Sequence, residues 1–385
     1  VARAFPPPPG ERRFRPGEVL VELPDTTPPA DIARLLRAHR LSEARVVDDA
    51  LVGTSLRVWR VAGARAVEAL VRELGAETAL TSVQPNYLYE LQQAGTSAVA
   101  AAPAPKGPAQ YSLTKLHVEP GMVGDPIRVA VIDTAIDETH PDLAGAVEAR
   151  FDAIGGGAPR SFDHGTSIAG AIAARGRLKG VAPNARILSA RAFDTEGGKA
   201  LGDTASIIGA LNWAAKQKAR VVNMSFAGAP DPDLSKNLAS ACRDGLTLVG
   251  AAGNAGPASP PLYPGADPNV VAVTATDAED RLYAKANIGP YIAVSAPGVD
   301  VILPAPRGAY ALETGTSVSA ALVTGVAALL LERRPAMTPA EIRKLLMTTA
   351  TPLGAAGAAA LFGAGLVDAR RALSAQAPPQ TPATN

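Results

Sequence analysis

Residues 128–133 read Arg128-Val129-Ala130-Val131-Ile132-Asp133, and this stretch decides the fold. After the arginine come four apolar residues, β-branched at Val129, Val131 and Ile132, and then a carboxylate. The run is too short for an ordinary helix and carries the residue types that favour strands. Neither face is polar, so a strand here must be buried on both sides. The same kind of run recurs at Ala185-Arg186-Ile187-Leu188-Ser189-Ala190, Val221-Val222-Asn223-Met224-Ser225, Thr247-Leu248-Val249-Gly250-Ala251-Ala252 and Val270-Val271-Ala272-Val273-Thr274. Helical spacing fills the intervals between several of them, as from Thr204 to Lys218. Apolar strands separated by helices predict an α/β domain with a doubly wound parallel sheet, covered on both faces. Such sheets gather functional groups at the carboxyl ends of their strands, where Asp133 falls.

The pattern is different upstream. Residues 1–16 are rich in Pro and Arg and read as a disordered lead-in. Glu18 to Leu23 reads as a strand, Pro29 to His39 as a helix, Ala44 to Val47 and Ser55 to Val61 as strands, Ala64 to Leu74 as a helix, and Ser82 to Leu91 as a strand. This β-α-β-β-α-β order predicts a small α+β, ferredoxin-like unit over residues 17–91. Residues 92–110 hold Ala, Gly, Ser and Pro with almost no large apolar side chain, and read as a linker or exposed loop. The large domain then covers 111–373, and the polar, Pro-rich residues 374–385 read as a disordered tail.

Composition narrows the function. The 385 residues carry 37 Lys and Arg against 36 Asp and Glu, a net charge of +1. No basic run offers a phosphate-binding surface, which argues against a nucleic-acid partner. The longest apolar stretch, Val318 to Leu331, is too short for the ~20 residues that cross a bilayer. The single cysteine, Cys242, reads as a buried thiol in a helix.

Four segments put reactive side chains at element ends. Asp133 closes its strand; alone it could simply cap a turn. Asp163-His164-Gly165-Thr166-Ser167 starts a helix of small residues, and an imidazole there needs a carboxylate partner to act as a base. His39, His117 and His140 lie in less suggestive settings. Glu313-Thr314-Gly315-Thr316-Ser317-Val318-Ser319 puts Ser317 in the first turn of a buried helix, where backbone N–H groups lack intrahelical partners. In Gly250-Ala251-Ala252-Gly253-Asn254-Ala255-Gly256 an Asn sits among glycines; it could be a turn residue or an oxyanion donor.

In combination and in this order, Val131-Ile132-Asp133-Thr134, His164-Gly165-Thr166, Ala252-Gly253-Asn254 and Gly315-Thr316-Ser317-Val318-Ser319-Ala320 resemble the signature blocks of the subtilisin-like proteases, the subtilases. Lys179 to Ala185, Val222 to Ser225 and Phe362 to Ala369 also match, so the resemblance covers residues 111–373. It implies a serine endopeptidase with Asp133, His164 and Ser317 as catalytic triad and Asn254 at the oxyanion hole. It implies polypeptide substrates lying along Ser225, Phe226, Ala227 and Gly228 and along Ala251, Ala252 and Gly253. Val83-Gln84-Pro85-Asn86-Tyr87 resembles the end of the family's propeptides, which implies that the small unit is an intramolecular chaperone and inhibitor, with a maturation site in 92–110. A secreted or periplasmic location follows by resemblance.

Two departures stand out. Ala173 to Lys179 is shorter than the calcium-binding loop of secreted relatives and offers cations where calcium needs oxygen. No cofactor is therefore expected, and no strong calcium site, although weak sites stay open. Leu262 stands where relatives with a broad specificity pocket have Gly, which favours small side chains before the cut and makes Thr96 to Pro103 a candidate self-cleavage region. Two other functions compete. One is a catalytically silent peptide-binding protein on the same fold, which would normally have lost a triad member. The other is an α/β-hydrolase esterase, which needs Gly-x-Ser-x-Gly and the order Ser, acid, His.

Overall fold

The computed structural model describes residues 2–61, 63, 65–91, 95–99 and 110–375, with the backbone alone for 95–99. The N-terminal part contains β1 (Arg3–Ala4), β2 (Phe14–Pro24), α1 (Pro29–His39), β3 (Leu41–Asp49), β4 (Thr54–Val61), α2 (Val67–Leu74), β5 (Ser82–Leu91) and β6 (Gly95–Val99). Four of the strands form an antiparallel sheet in the order β5-β2-β4-β3. Along β2 the side chains alternate between two faces. Val19, Val21 and Leu23 pack with Leu35 of α1 and Leu70 and Leu74 of α2. Leu20 faces the other way and joins the core of the C-terminal part. The small unit is thus apolar on both faces, which is why it sits against its neighbour.

The C-terminal part runs α3 (Tyr111–Lys115), β7 (Arg128–Asp133), β8 (Val147–Asp152), α4 (Asp163–Ala173), β9 (Arg186–Arg191), β10 (Asp194–Glu196), β11 (Lys199–Asp203), α5 (Thr204–Lys216), β12 (Val221–Met224), β13 (Phe226–Gly228), α6 (Pro232–Arg243), β14 (Thr247–Ala251), β15 (Val270–Thr276), β16 (Ile292–Pro297), β17 (Val301–Ala305), β18 (Ala309–Thr314), α7 (Thr316–Arg333) and α8 (Pro339–Thr349). Seven strands pair in the order β16-β15-β14-β12-β7-β9-β8, all parallel. In β7, Val129 and Val131 pack on the α4 and α7 side, and Ala130 and Ile132 on the α5 and α6 side. The strand that opens this sheet is therefore buried on both faces. It lies between β12 and β9, where the chain order reverses and a crevice opens at the carboxyl ends.

Helix α7 has 18 residues and is long and apolar enough to cross a membrane by length and composition. It is a core helix instead, since 89% of it is buried inside the protein.

Three expectations need correction. The lead-in is not disordered over its described residues. Arg3 and Ala4 pair in parallel with Ser82 and Val83, β2 already begins at Phe14, and Arg13 is held by Glu11. Pairing through the backbone requires no hydrophobic side chains, so the Pro- and Arg-rich composition misled. The 92–110 segment is likewise not all loop, because Gly95–Val99 pairs antiparallel with β18. Residues 92–94 and 100–109 lie outside the described residues, as does half of the proposed self-cleavage region, residues 100–103. Cys242 is half-buried rather than buried, and burial pushes its thiol pKa up, which makes it a poor nucleophile. Of the tail, residues 376–385 are outside the described residues.

Candidate active site

Asp133 is the last residue of β7 and is fully buried. Its Oδ1 accepts from the Thr134 N–H at 2.7 Å. His164 lies in the first turn of α4, and Thr134 Oγ1 fixes that turn by accepting from Gly165 N–H at 2.9 Å. The result is a close pair, with His164 Nδ1 at 2.8 Å from both Asp133 carboxylate oxygens. That contact puts the imidazole proton on Nδ1 and leaves Nε2 as the basic nitrogen. Burial works to lower the His164 pKa. The charge of Asp133, its hydrogen bond and the more distant Glu313 outweigh this and raise it.

Ser317 is the second residue of α7 and is buried. Its Oγ and the His164 Nε2 are both buried without a hydrogen-bond partner among the described residues. A nucleophile and its base often sit apart until substrate draws them together. Ser317 is braced from behind: Ser225 Oγ donates to the Ser317 carbonyl at 3.0 Å. Asn223 Nδ2 donates to Ser225 Oγ at 2.9 Å, and Thr324 Oγ1 donates to Asn223 Oδ1 at 3.1 Å. Ser225, assigned by resemblance to substrate, also holds the nucleophile's backbone.

Asn254 is anchored by its oxygen, which accepts from Thr316 N–H at 3.1 Å and Thr316 Oγ1 at 2.9 Å. This fixes the orientation of the amide, with Oδ1 toward Thr316 and Nδ2 as the donor end. Gly253, at φ +114°, leads into it; a Cβ there would lie 2.9 Å from Leu262 Cδ1 and 3.0 Å from Asn287. With Asn254→Leu, the side-chain volume is kept, and the donor is lost together with the oxygen that holds Thr316. Turnover is expected to fall about 10²–10³-fold, the scale known for the oxyanion donor of subtilisin, with KM nearly unchanged in steady-state kinetics. Equal turnover would remove Asn254 from the site.

The cleft beside these residues, about 480 Å³, is lined by Leu91, Leu201, Ala227, Asn254 and Leu262 among others. Strand β5 lies in it. On one side Leu91, Glu90 and Tyr89 pair antiparallel with Phe226, Ala227 and Gly228 of β13. On the other, Glu90, Tyr89 and Leu88 pair with Leu201, Gly202 and Asp203 of β11. Gly228 is required here, since a Cβ would lie 2.5 Å from the Tyr89 ring. Among the described residues Ala251 and Ala252 make no such pairing with β5; Ala251 is in register with Val273 of β15, and Ala252 N–H donates to the Val273 carbonyl. Sequence reasoning missed β11, whose residues Lys199-Ala200-Leu201-Gly202-Asp203 carry no signal beyond a strand-length stretch.

The remaining histidines are structural. His140 Nδ1 accepts from Asp142 N–H and its Nε2 bonds the Ala309 carbonyl. His39 lies between Glu73 and Glu77, and His117 beside Asp368.

The model of the subtilase family (Peptidase_S8) matches residues 124–365. The chain belongs to the subtilase family. As a subtilase it is a subtilisin-like serine peptidase, similar along 90% of its length to a thermophilic serine proteinase of Bacillus sp. (strain AK1), with 32% identity and 85% of that protein covered. Subtilisin E of Bacillus subtilis is also 32% identical, over 79% of this subtilase and 78% of that protein. In three dimensions the chain superposes on fervidolysin from Fervidobacterium pennivorans, a keratinolytic enzyme related to subtilisin, with a TM-score of 0.82 and 27% identity. The match covers 99% of this subtilase and 64% of fervidolysin. Membership disposes of the esterase alternative.

Proposed function

We propose that this subtilase is an endopeptidase working through a Ser317 acyl-enzyme, and that its N-terminal unit is an intramolecular inhibitor. The observation that carries the proposal is β5 in the cleft, paired on both sides, with Leu91 opposite the residue that follows Ser225. A polypeptide substrate in that position would lie extended between β11 and β13. Ser317 Oγ then attacks the scissile carbonyl while His164 Nε2 takes its proton. Asp133 holds the Nδ1–H and the charge that forms. Asn254 Nδ2 and the Ser317 N–H, which lies in the helix's first turn where backbone N–H groups lack intrahelical partners, receive the oxyanion. His164 returns the proton to the leaving amine, and water releases the acyl group by the reverse sequence. Leu262, which lines the cleft, supports small side chains before the cut. The secreted subtilisins among its relatives support an extracellular or periplasmic site of action.

Mass spectrometry of the purified chain over time tests both halves of this reading. The expected result is a new N-terminus between residues 92 and 110, followed by hydrolysis of added peptides. An intact chain that cuts no peptide would favour the silent binding protein.

The family's tight calcium site does not fit these residues. Asp142 already accepts from Arg177 N–H at 2.6 Å and Leu178 N–H at 2.9 Å. The Lys179 ammonium bonds the Arg175 carbonyl at 3.0 Å, and the Gln110 side chain spans the Lys179 N–H and carbonyl. Excess chelator is therefore expected to move the thermal midpoint by less than about 2 °C, since only a bound ligand stabilises by linkage. A drop several times larger would overturn this.

A further inference from the structure

Away from the cleft, three buried side chains connect the N-terminal unit to α6. Ser82 Oγ of β5 lies 2.9 Å from Glu22 Oε2 of β2 and 3.1 Å from Asp233 Oδ1 of α6. Glu22, Ser82 and Asp233 are 2%, 3% and 4% exposed. A hydroxyl has one proton and can donate to only one carboxylate. With both carboxyls ionised, the second contact would set a lone pair against an anionic oxygen in a dry interface. One added proton resolves the conflict. Asp233 Oδ1–H donates to Ser82 Oγ, Ser82 Oγ–H donates to Glu22 Oε2, and Glu22 Oε1 accepts from Lys236 Nζ. Asp233 Oδ2 points the same way: it is buried with no hydrogen-bond partner among the described residues. A neutral carboxyl tolerates that at modest cost, whereas a carboxylate does not.

We propose that one proton, held between Asp233 and Glu22 through Ser82, locks the N-terminal unit onto the enzyme, and that its loss as pH rises loosens the unit. This rests on reading that unit as the inhibitor.

The surroundings agree. Asp231 caps α6 and accepts from Gln84 Nε2, Tyr89 OH, Thr204 Oγ1 and Leu234 N–H; burial outweighs these bonds and raises its carboxyl above the ordinary value, and its charge acts on Asp233. Asp49 of β3, bonded by Asn212 and Asn237, faces Glu22 and Lys236. Tyr87 and Tyr89 of β5 face Asp231, and Tyr87 also faces Glu11. Lys236 is the cation that acts on Asp233. Burial above all, then the charges of Asp231 and Glu22, hold the Asp233 carboxyl well above the usual carboxylate range.

The sign follows. Apart from the N-terminal unit, Asp233 meets water and ionises normally, so the joined state binds one more proton. The contribution is complete below the ordinary carboxylate range and is lost as pH rises through the raised value. One proton weakens the joined state by up to about tenfold per pH unit.

The test uses the full chain with Ser317→Ala, so that nothing is cut. Hydrogen exchange of the β5 amides is followed from about pH 5 to about pH 10 and corrected for the intrinsic rate, reading local opening. Protection should fall by up to about tenfold per pH unit over part of that range. Adding Asp233→Asn, whose amide can donate to Ser82 without a titrating proton, should flatten the profile, whereas Glu22→Gln, which leaves Asp233 buried but removes one opposing charge, should make the fall level off at lower pH. If Asp233→Asn fails to fold, Glu22→Gln decides. Level protection in the Ser317→Ala chain, a slope that survives Asp233→Asn, or a profile that Glu22→Gln leaves unmoved overturns the proposal. Because this readout needs no activity, it stands apart from failure of peptide hydrolysis, which would sink the endopeptidase reading itself.

Discussion

Replacing Ser317 with alanine will reduce peptide turnover by about 10⁶-fold, the size of the nucleophile knockout in subtilisin, while the protein stays folded. The fold should not respond because the Ser317 Oγ makes no hydrogen bond among the described residues that its loss would break. The helix start is held instead by the Ser225 contact to the Ser317 carbonyl and by Thr316 on Asn254. Initial rates on a chromogenic peptide read the first effect. A thermal midpoint within about 2 °C of the parent reads the second. A variant with most of its activity intact would mean that the bond is cut by some other group.

The second large effect is expected at Asp133. Changing it to Asn keeps the shape but allows the wrong imidazole tautomer, and turnover should fall about 10⁴-fold. The pH profile should move as well. His164 is a base only when neutral, so kcat/KM falls as pH drops through its pKa. Burial pulls that pKa down, and the Asp133 charge and hydrogen bond more than offset it, giving a net raised value. Without the charge, burial prevails, and the acid limb of the residual activity should shift to lower pH. A limb that stays in place would show that the buried contact at 2.8 Å does not govern the base.

The parallel sheet and the location of the reactive residues were legible because both leave marks in side chains. A strand buried on two faces must be apolar, as Val129 to Ile132 are. Residues at strand ends and helix starts, such as Asp133 and His164, interrupt those runs visibly. What stayed hidden works through the backbone or through long-range encounter. Arg3–Ala4, Gly95–Val99 and Lys199–Asp203 pair by their peptide groups, which any composition can supply. The Ser82 hydroxyl meets Asp233 across 151 positions of chain. No local pattern announces such a meeting, because only the packing of β5 on α6 creates it.

The double pairing of β5 also bears on discrimination. If that strand departs, two rims of unsatisfied peptide groups face each other across a slot one chain wide. Such a slot measures whether a visitor is straight and thin, and consults its spelling only where a side chain drops below the rims. Compact proteins would pass it untouched, while frayed loops and unravelled chains of almost any composition would be gripped.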